Sequence, residues 1–377
     1  MKSFLVTGVL FALLGAPAGA PRAAPPSVVP PVIVGAKPVE VEHIKLHSQG
    51  LEGNLEGESA DRDVIVYLPP DYATNNNRRY PVVYALHGYA LTAEAFAGLI
   101  KTPQTVEGAF ATGTPDMIVV LPDSQTLHNG SMYSSSTTIG NWEGFIAHDL
   151  VAYIDAHYRT IPNRLSRGLA GHSMGGYGTV RIGMKYPEIF GALYIMSPCC
   201  LSARDAPPAA AAAAIEAVKT PDEATKLDFL PRATFAVAAA WSPNPKKPPF
   251  YADLPTSNGV VDKSVLARWA ANAPLSMLDQ YVFNLKQYQA IAMDVGDQDG
   301  LRVDAAELHK RMDNFGIKNS FDIYSGDHGN AVAVRFQNHV LPFFGHVLSS
   351  GRNIMQHARD DVSLPLNERQ QTGPESP

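Results

Sequence analysis

The stretch Leu169-Ala170-Gly171-His172-Ser173-Met174-Gly175-Gly176 constrains this chain more than any other. It has the form Gly-x-Ser-x-Gly, followed by one more glycine. The apolar lead-in from Gly168 predicts a short buried strand, and Tyr177 to Lys185 predicts a helix stopped before Pro187. Strand, sharp turn and helix together turn the string into a mechanical device. The turn forces Ser173 into a strained backbone conformation. Gly171 and Gly175 lack a Cβ, so strand and helix can close around it. The hydroxyl is then presented at the mouth of a sheet, where N–H groups at the helix start face any anion that forms.

The ends of the chain read differently. Lys2, the apolar run Phe4 to Leu14 and the small-residue patterns Ala16-Pro17-Ala18 and Ala18-Gly19-Ala20 predict a cleavable leader over 1–20. The two cleavage patterns are not separated by sequence. The leader predicts a secreted or periplasmic protein. Its apolar run is short for a bilayer span, and no later stretch reads as one. Residues 21–38, rich in proline and alanine, read as a linker, 39–350 as the folded domain and 351–377 as a polar tail. The formal net charge is −6 with no basic block, which argues against a nucleic-acid partner. Two adjacent cysteines, Cys199 and Cys200, read as small buried residues after a strand, with a strained vicinal disulfide or an intermolecular bond as the alternatives.

Within the domain, Val39 to Leu46 alternates like a half-buried strand, and Asp63 to Leu68 follows as a second. Continuous apolar runs at Pro81 to Leu86, Met117 to Leu121, Ala192 to Met196 and Ala290 to Val295 read as strands covered on both faces, with Ser320 to Tyr324 as the next strand. Phe145 to His157, Asp304 to Phe315 and Ala331 to Leu348 have helical spacing. Strands alternating with helices predict an α/β fold with a mostly parallel, doubly wound sheet, the first two strands forming an antiparallel edge. The rhythm breaks over about 201–289. An alanine run at Ala209 to Ala214 predicts a helix, Pro243, Pro245, Pro248 and Pro249 predict a loop around Trp241, and Leu266 to Met277 reads as further helix. This segment reads as an insertion or lid rather than a separate domain.

A serine hydroxyl needs a base to take its proton, and the base needs an orienting carboxylate. On a scaffold built around such an elbow the chain order is serine, acid, histidine. That order removes His43, His47, His87, His128, His148 and His157. His172 is adjacent to the serine on a tight turn and is expected to pack beside it. His309, His339 and His346 lie in predicted helices and His357 in the tail. His328, in Gly326-Asp327-His328-Gly329, lies in a loop just past a strand, where the base is expected. The acid should follow the strand ending at Val295. Asp294 is still inside that strand, and spacing does not choose between Asp297 and Asp299. The two oxyanion donors are expected from the backbone N–H groups of Met174, after the serine, and Tyr89, in the loop His87-Gly88-Tyr89. Neither a zinc pattern nor a phosphate-binding Gly-Lys-Ser/Thr is present, so the expected chemistry uses no cofactor and no metal.

Three stretches now carry a resemblance: Tyr80-Pro81-Val82-Val83-Tyr84-Ala85-Leu86-His87-Gly88; the run from Asp149-Leu150 through Tyr158-Arg159-Thr160 to Gly171–Gly178; and Tyr186-Pro187 to Phe190-Gly191. In that order they resemble the esterase D-like family, which includes feruloyl esterases, S-formylglutathione hydrolases and mycolyltransferase antigens. The resemblance implies an α/β-hydrolase fold with Ser173 as nucleophile and His328 as base. It also implies Asp299 as the acid, three places after Gly296, with Tyr89 and Met174 as oxyanion donors. The implied activity is that of a secreted serine carboxylic-ester hydrolase working through an acyl-enzyme on a small-molecule or saccharide ester. Transfer of the acyl group to a sugar or glycerol acceptor is the alternative, and a non-catalytic binding protein on a hydrolase scaffold a second one. The acyl and alcohol parts stay open, because fold does not fix substrate.

Overall fold

A computed structural model describes residues 27–350. The leader read over 1–20, the start of the 21–38 linker and the 351–377 tail lie outside the described residues. Eight strands form one sheet: β1 Glu40–His47, β2 Asp61–Leu68, β3 Val82–Leu86, β4 Ile118–Pro122, β5 Arg167–His172, β6 Ala192–Met196, β7 Ala290–Gly296 and β8 Ser320–Tyr324. Their spatial order is β1-β2-β4-β3-β5-β6-β7-β8. β1 and β2 pair antiparallel, as do β2 and β4, and the remaining neighbours are parallel. This is the mostly parallel sheet with an antiparallel edge that the strand pattern predicts, and the α/β-hydrolase architecture that the resemblance implies.

The apolar runs become central strands because both faces of the sheet are covered. Val82, Tyr84 and Leu86 point into one core with Trp142, Phe145 and Tyr177, while Val83 and Ala85 point into the other with Phe96, Phe336 and Phe344. Helices α1 (Ala93–Ile100), α2 (Gln104–Ala111) and the final helix, α9 (332–347), supply the second of these cores. The first holds α3 (142–157), α4 (Met174–Lys185) and α8 (Arg302–Asn314). α3 runs through Trp142–Gly144, a π-helical turn at Phe145–Asp149 and Leu150–His157; α9 likewise has a π turn at Phe336–Val340, between Val332–Arg335 and Leu341–Val347. Sequence periodicity did not anticipate α1 and α2.

Between β6 and β7 the chain forms α5 (Ala209–Ala217), α6 (Phe229–Trp241) and α7 (Lys263–Ala270) with short turns. Two expectations are corrected here. Trp241 closes α6 rather than sitting in a proline-rich loop, because the prolines begin only at Pro243 and Pro231 falls in the first turn, where a missing N–H costs nothing. The helix expected over Leu266 to Met277 is broken: α7 ends at Ala270 and Pro274 starts a new turn, Pro274–Met277. The segment docks on the body. Trp241 donates Nε1–H to Ser134 Oγ at 3.0 Å, Ser136 Oγ donates to the Ala239 carbonyl at 2.7 Å, and the Tyr177 hydroxyl donates to the Asn272 carbonyl at 2.9 Å. Cys199 and Cys200 are both free thiols. Among the described residues no helix is long and apolar enough to cross a membrane.

Candidate active site

The order places β3 between β4 and β5, so the sheet switches direction there and opens a crevice at the strand ends. The elbow caps β5. Ser173 has φ 59° and ψ −113°, the strained conformation expected of it, and such a residue costs about 1–3 kcal/mol that the surroundings must hold. The surroundings are backbone. A Cβ on Gly171 would lie 2.2 Å from the Gly175 carbonyl oxygen, and one on Gly175 would lie 2.1 Å from that of Leu86. Strand, turn and helix are therefore locked against β3, and Ser173 N–H donates to the Met196 carbonyl at 3.0 Å.

His328 reaches the serine from the loop after β8. Ser173 Oγ donates to its Nε2 at 2.9 Å, and its Nδ1–H donates to Asp299 Oδ2 at 2.8 Å. The imidazole side chain is 42% exposed and the Asp299 side chain 2% exposed, so the carboxylate works out of water while one edge of the ring faces it. Burial alone would raise the Asp299 pKa. The hydrogen bond and charge of His328, with the Leu301 N–H, outweigh it and hold the carboxyl below its ordinary range. Asp297, the other candidate, does not touch the ring. Its Oδ1 accepts from Gly326 N–H at 3.0 Å and so braces the histidine loop. Asp294 is buried inside β7, bonded to Tyr194 and Arg335.

The loop is held from three more sides. Asp327 Oδ1 accepts from Gly329 and Asn330 N–H, Gln298 N–H donates to the Gly326 carbonyl, and Val28 N–H donates to the Asn330 carbonyl at 2.6 Å. His172 then does more than pack. Its Nε2–H donates to the His328 carbonyl at 2.7 Å, with the two rings 4.8 Å apart. Burial, and then the neighbouring His328, push the His172 pKa down to about 3, so it stays neutral beside His328. No local pattern signals this contact, which spans 156 positions of chain.

Tyr89 follows β3, and Met174 begins α4. Among the described residues neither backbone N–H donates to an acceptor. The Tyr89 peptide is fixed by His87. Ser124 N–H donates into His87 Nε2 at 2.8 Å, which leaves Nδ1 as the protonated nitrogen, donating to the Gly88 carbonyl at 2.8 Å. That carbonyl and the Tyr89 N–H share one planar unit, so pinning the first holds the second on the opposite side. A Cβ on Gly88 would lie 3.4 Å from Ser173 Cβ, which shows how closely this loop passes the serine. Burial lowers the His87 pKa and keeps the tautomer neutral. His87 was set aside by chain order as a base and returns here as a positioning residue. Three of the residues singled out in sequence thus form a hydroxyl, an imidazole and a carboxylate in series, and two more carry unengaged N–H groups nearby, Tyr89 in the loop beside Ser173 and Met174 at the start of α4.

The family profile described as "Putative esterase" matches residues 58–340. Esterase Rv1288 of Mycobacterium tuberculosis (strain ATCC 25618 / H37Rv) is 35% identical over 127 residues, covering 33% of this chain and 26% of that protein. The match thus spans about a quarter of the curated relative's length. A ferulic acid esterase structure superposes with a TM-score of 0.59 at 22% identity, covering 82% of this chain and 99% of that one. FphF, a fluorophosphonate-binding serine hydrolase of Staphylococcus aureus, does so with a TM-score of 0.56 at 16% identity, covering 83% and 99%. At these identities the structures speak for the fold.

Proposed function

The chain belongs to this esterase family, and from that premise we propose that it hydrolyses carboxylic esters through an acyl-enzyme on Ser173. Ser173 Oγ attacks the ester carbonyl carbon as its proton passes to His328 Nε2. The carbonyl oxygen becomes an oxyanion between the N–H groups of Tyr89 and Met174. Asp299 holds His328 in the tautomer whose Nε2 can accept, and stabilises the imidazolium that forms. Collapse of the tetrahedral species breaks the bond to the alcohol oxygen, which takes the proton back from Nε2. Water then repeats the sequence on the acyl-enzyme and releases the acid. Oxyanion donors of this kind supply roughly 3–4 kcal/mol each.

The observation that carries this reading is the continuous series from Ser173 Oγ through His328 to a carboxylate withdrawn from water. Incubation with a fluorophosphonate probe tests it: the wild type is expected to be labelled at Ser173 and Ser173→Ala left unlabelled. Labelling would also exclude an inert binding protein. His328 keeps one edge open to solvent, where an alcohol could take the place of water, so transfer to a sugar or glycerol acceptor is the second reading. Free acid as the sole product at every acceptor concentration would exclude it. Export is proposed from the leader pattern at 1–20, with fractionation of the expressing cells as its test.

A further inference from the structure

We infer that Phe229 and Leu230, in the first turn of α6, form the acyl-binding lip of this site and select esters of apolar acyl groups longer than acetyl. The inference rests on the esterase reading above.

Helix α6 has two unlike ends. Phe235 and Trp241 are 2% and 4% exposed, whereas Phe229 and Leu230 are 60% and 70% exposed. A pair of large apolar side chains left next to each other in water at a helix start gains nothing for the fold, and a patch of this kind beside a site marks a contact surface. The Phe229 ring meets the Tyr89 ring edge-on, 5.1 Å between centroids at 85°. The Tyr89 ring and the Met174 thioether meet in turn at Gly130, where a Cβ would lie 2.9 Å from Tyr89 Cδ2 and 2.5 Å from Met174 Sδ. The apolar surface therefore continues from Phe229 to the two residues whose N–H groups face the reacting carbonyl. It is also anchored: Arg232, one turn on, donates to the Leu127 carbonyl at 2.9 Å and to the Thr225 carbonyl at 3.3 Å.

The chemistry decides which half of the ester lies there. His328 must reach the alcohol oxygen to protonate it, so the alcohol leaves along the His328 edge. The oxyanion occupies the Tyr89–Met174 side. The acyl substituent takes the remaining direction, away from His328. The hydrogen-bond partners of the His328 ring are Ser173 and Asp299, and Phe229 packs instead on the ring of Tyr89, whose N–H lies on the oxyanion side.

The test is the ratio of kcat/KM for p-nitrophenyl octanoate to that for p-nitrophenyl acetate, in the wild type and in Phe229→Ser/Leu230→Ser. The ratio is expected to fall at least tenfold in the double variant, in line with what lost apolar contacts cost in discrimination. Leu230→Trp, which enlarges the lip, is expected to raise it. A second series holds the acyl group at acetyl and varies the alcohol from ethyl to naphthyl, and its ratios are expected to stay as they were. An octanoate ratio unchanged in both variants, or a change that follows the alcohol instead, would overturn the lip while leaving the esterase intact. A wild type that hydrolyses neither ester and takes up no fluorophosphonate would overturn the parent reading and this inference with it.

Discussion

The elbow and the insertion solve opposite problems. Around Ser173 the lock is backbone: Gly171 and Gly175 have no room for a methyl group, and the strained serine is held by β3, β5 and α4 at once. The insertion between β6 and β7 is held by side chains, such as Trp241 on Ser134 and Tyr177 on Asn272, and it leaves Phe229 and Leu230 in water. Backbone locks tolerate almost no change in sequence, and side-chain docking tolerates much. On the reading proposed above, the contrast would divide the labour: the nucleophile sits on the part that cannot vary, and the acyl-selecting surface on a part that can.

Four experiments would break or sharpen that contrast. Ser173→Ala should lower kcat by about 10⁶, the scale seen when a triad nucleophile is removed; steady-state assays on p-nitrophenyl acetate read it, and a modest loss would mean that the elbow is not the reacting part. Asp299→Asn should lower kcat by about 10⁴, since the amide favours the wrong histidine tautomer. Asp297→Asn, which alters only a brace, should cost far less, and equal losses would erase the distinction between acid and brace. Trp241→Ala should destabilise the insertion by about 3–5 kcal/mol, the range for truncating a buried tryptophan. Urea melts monitored at separate probes would show whether the sheet follows it.

The smallest effect concerns pH. His172 has a folded pKa of about 3 against an ordinary value near 6.5. Between those values the unfolded chain binds the proton and the folded chain does not. Its contribution to stability is therefore complete above about pH 6.5 and is lost progressively as pH falls toward 3. His172→Gln keeps a donor for the His328 carbonyl but cannot titrate. Its stability should fall less steeply than the wild type's, by about 2 kcal/mol between pH 7 and pH 5. Thermal melts at the two pH values check this. Trp241→Ala should keep the wild-type slope, because it leaves the surroundings of His172 unchanged.

Legibility in the sequence followed the same division. Central strands such as Val82–Leu86 were readable because burial on both faces leaves a continuous apolar run. The elbow was readable because its glycines are obligatory. Helices α1 and α2 were not, because each is only eight residues of mostly small side chains and Thr102-Pro103 separates them, although Ala93, Phe96, Ala97 and Ile100 do form a buried stripe on α1. Within the insertion, Pro231 and the nearby prolines masked α6, although a proline in a first turn is harmless. The two loop aspartates lie two residues apart in one turn, and which of them faces the ring depends on backbone direction that spacing does not encode. His172 and His87 were set aside as bases, and the structure gives each a donor role that no local pattern specifies.

The bond from Val28 to Asn330 has a practical side. It ties the front of the described chain to the loop that carries His328, whereas Ser349 donates to Leu165, just ahead of β5, at the far end of the parallel strands. Coupling the protein to a solid support through residue 350 would turn the mouth outward to bulk solution. Coupling it through residue 27 would press the mouth toward the matrix, so the same molecule immobilised in the two ways should differ in its access to bulky or polymer-borne esters.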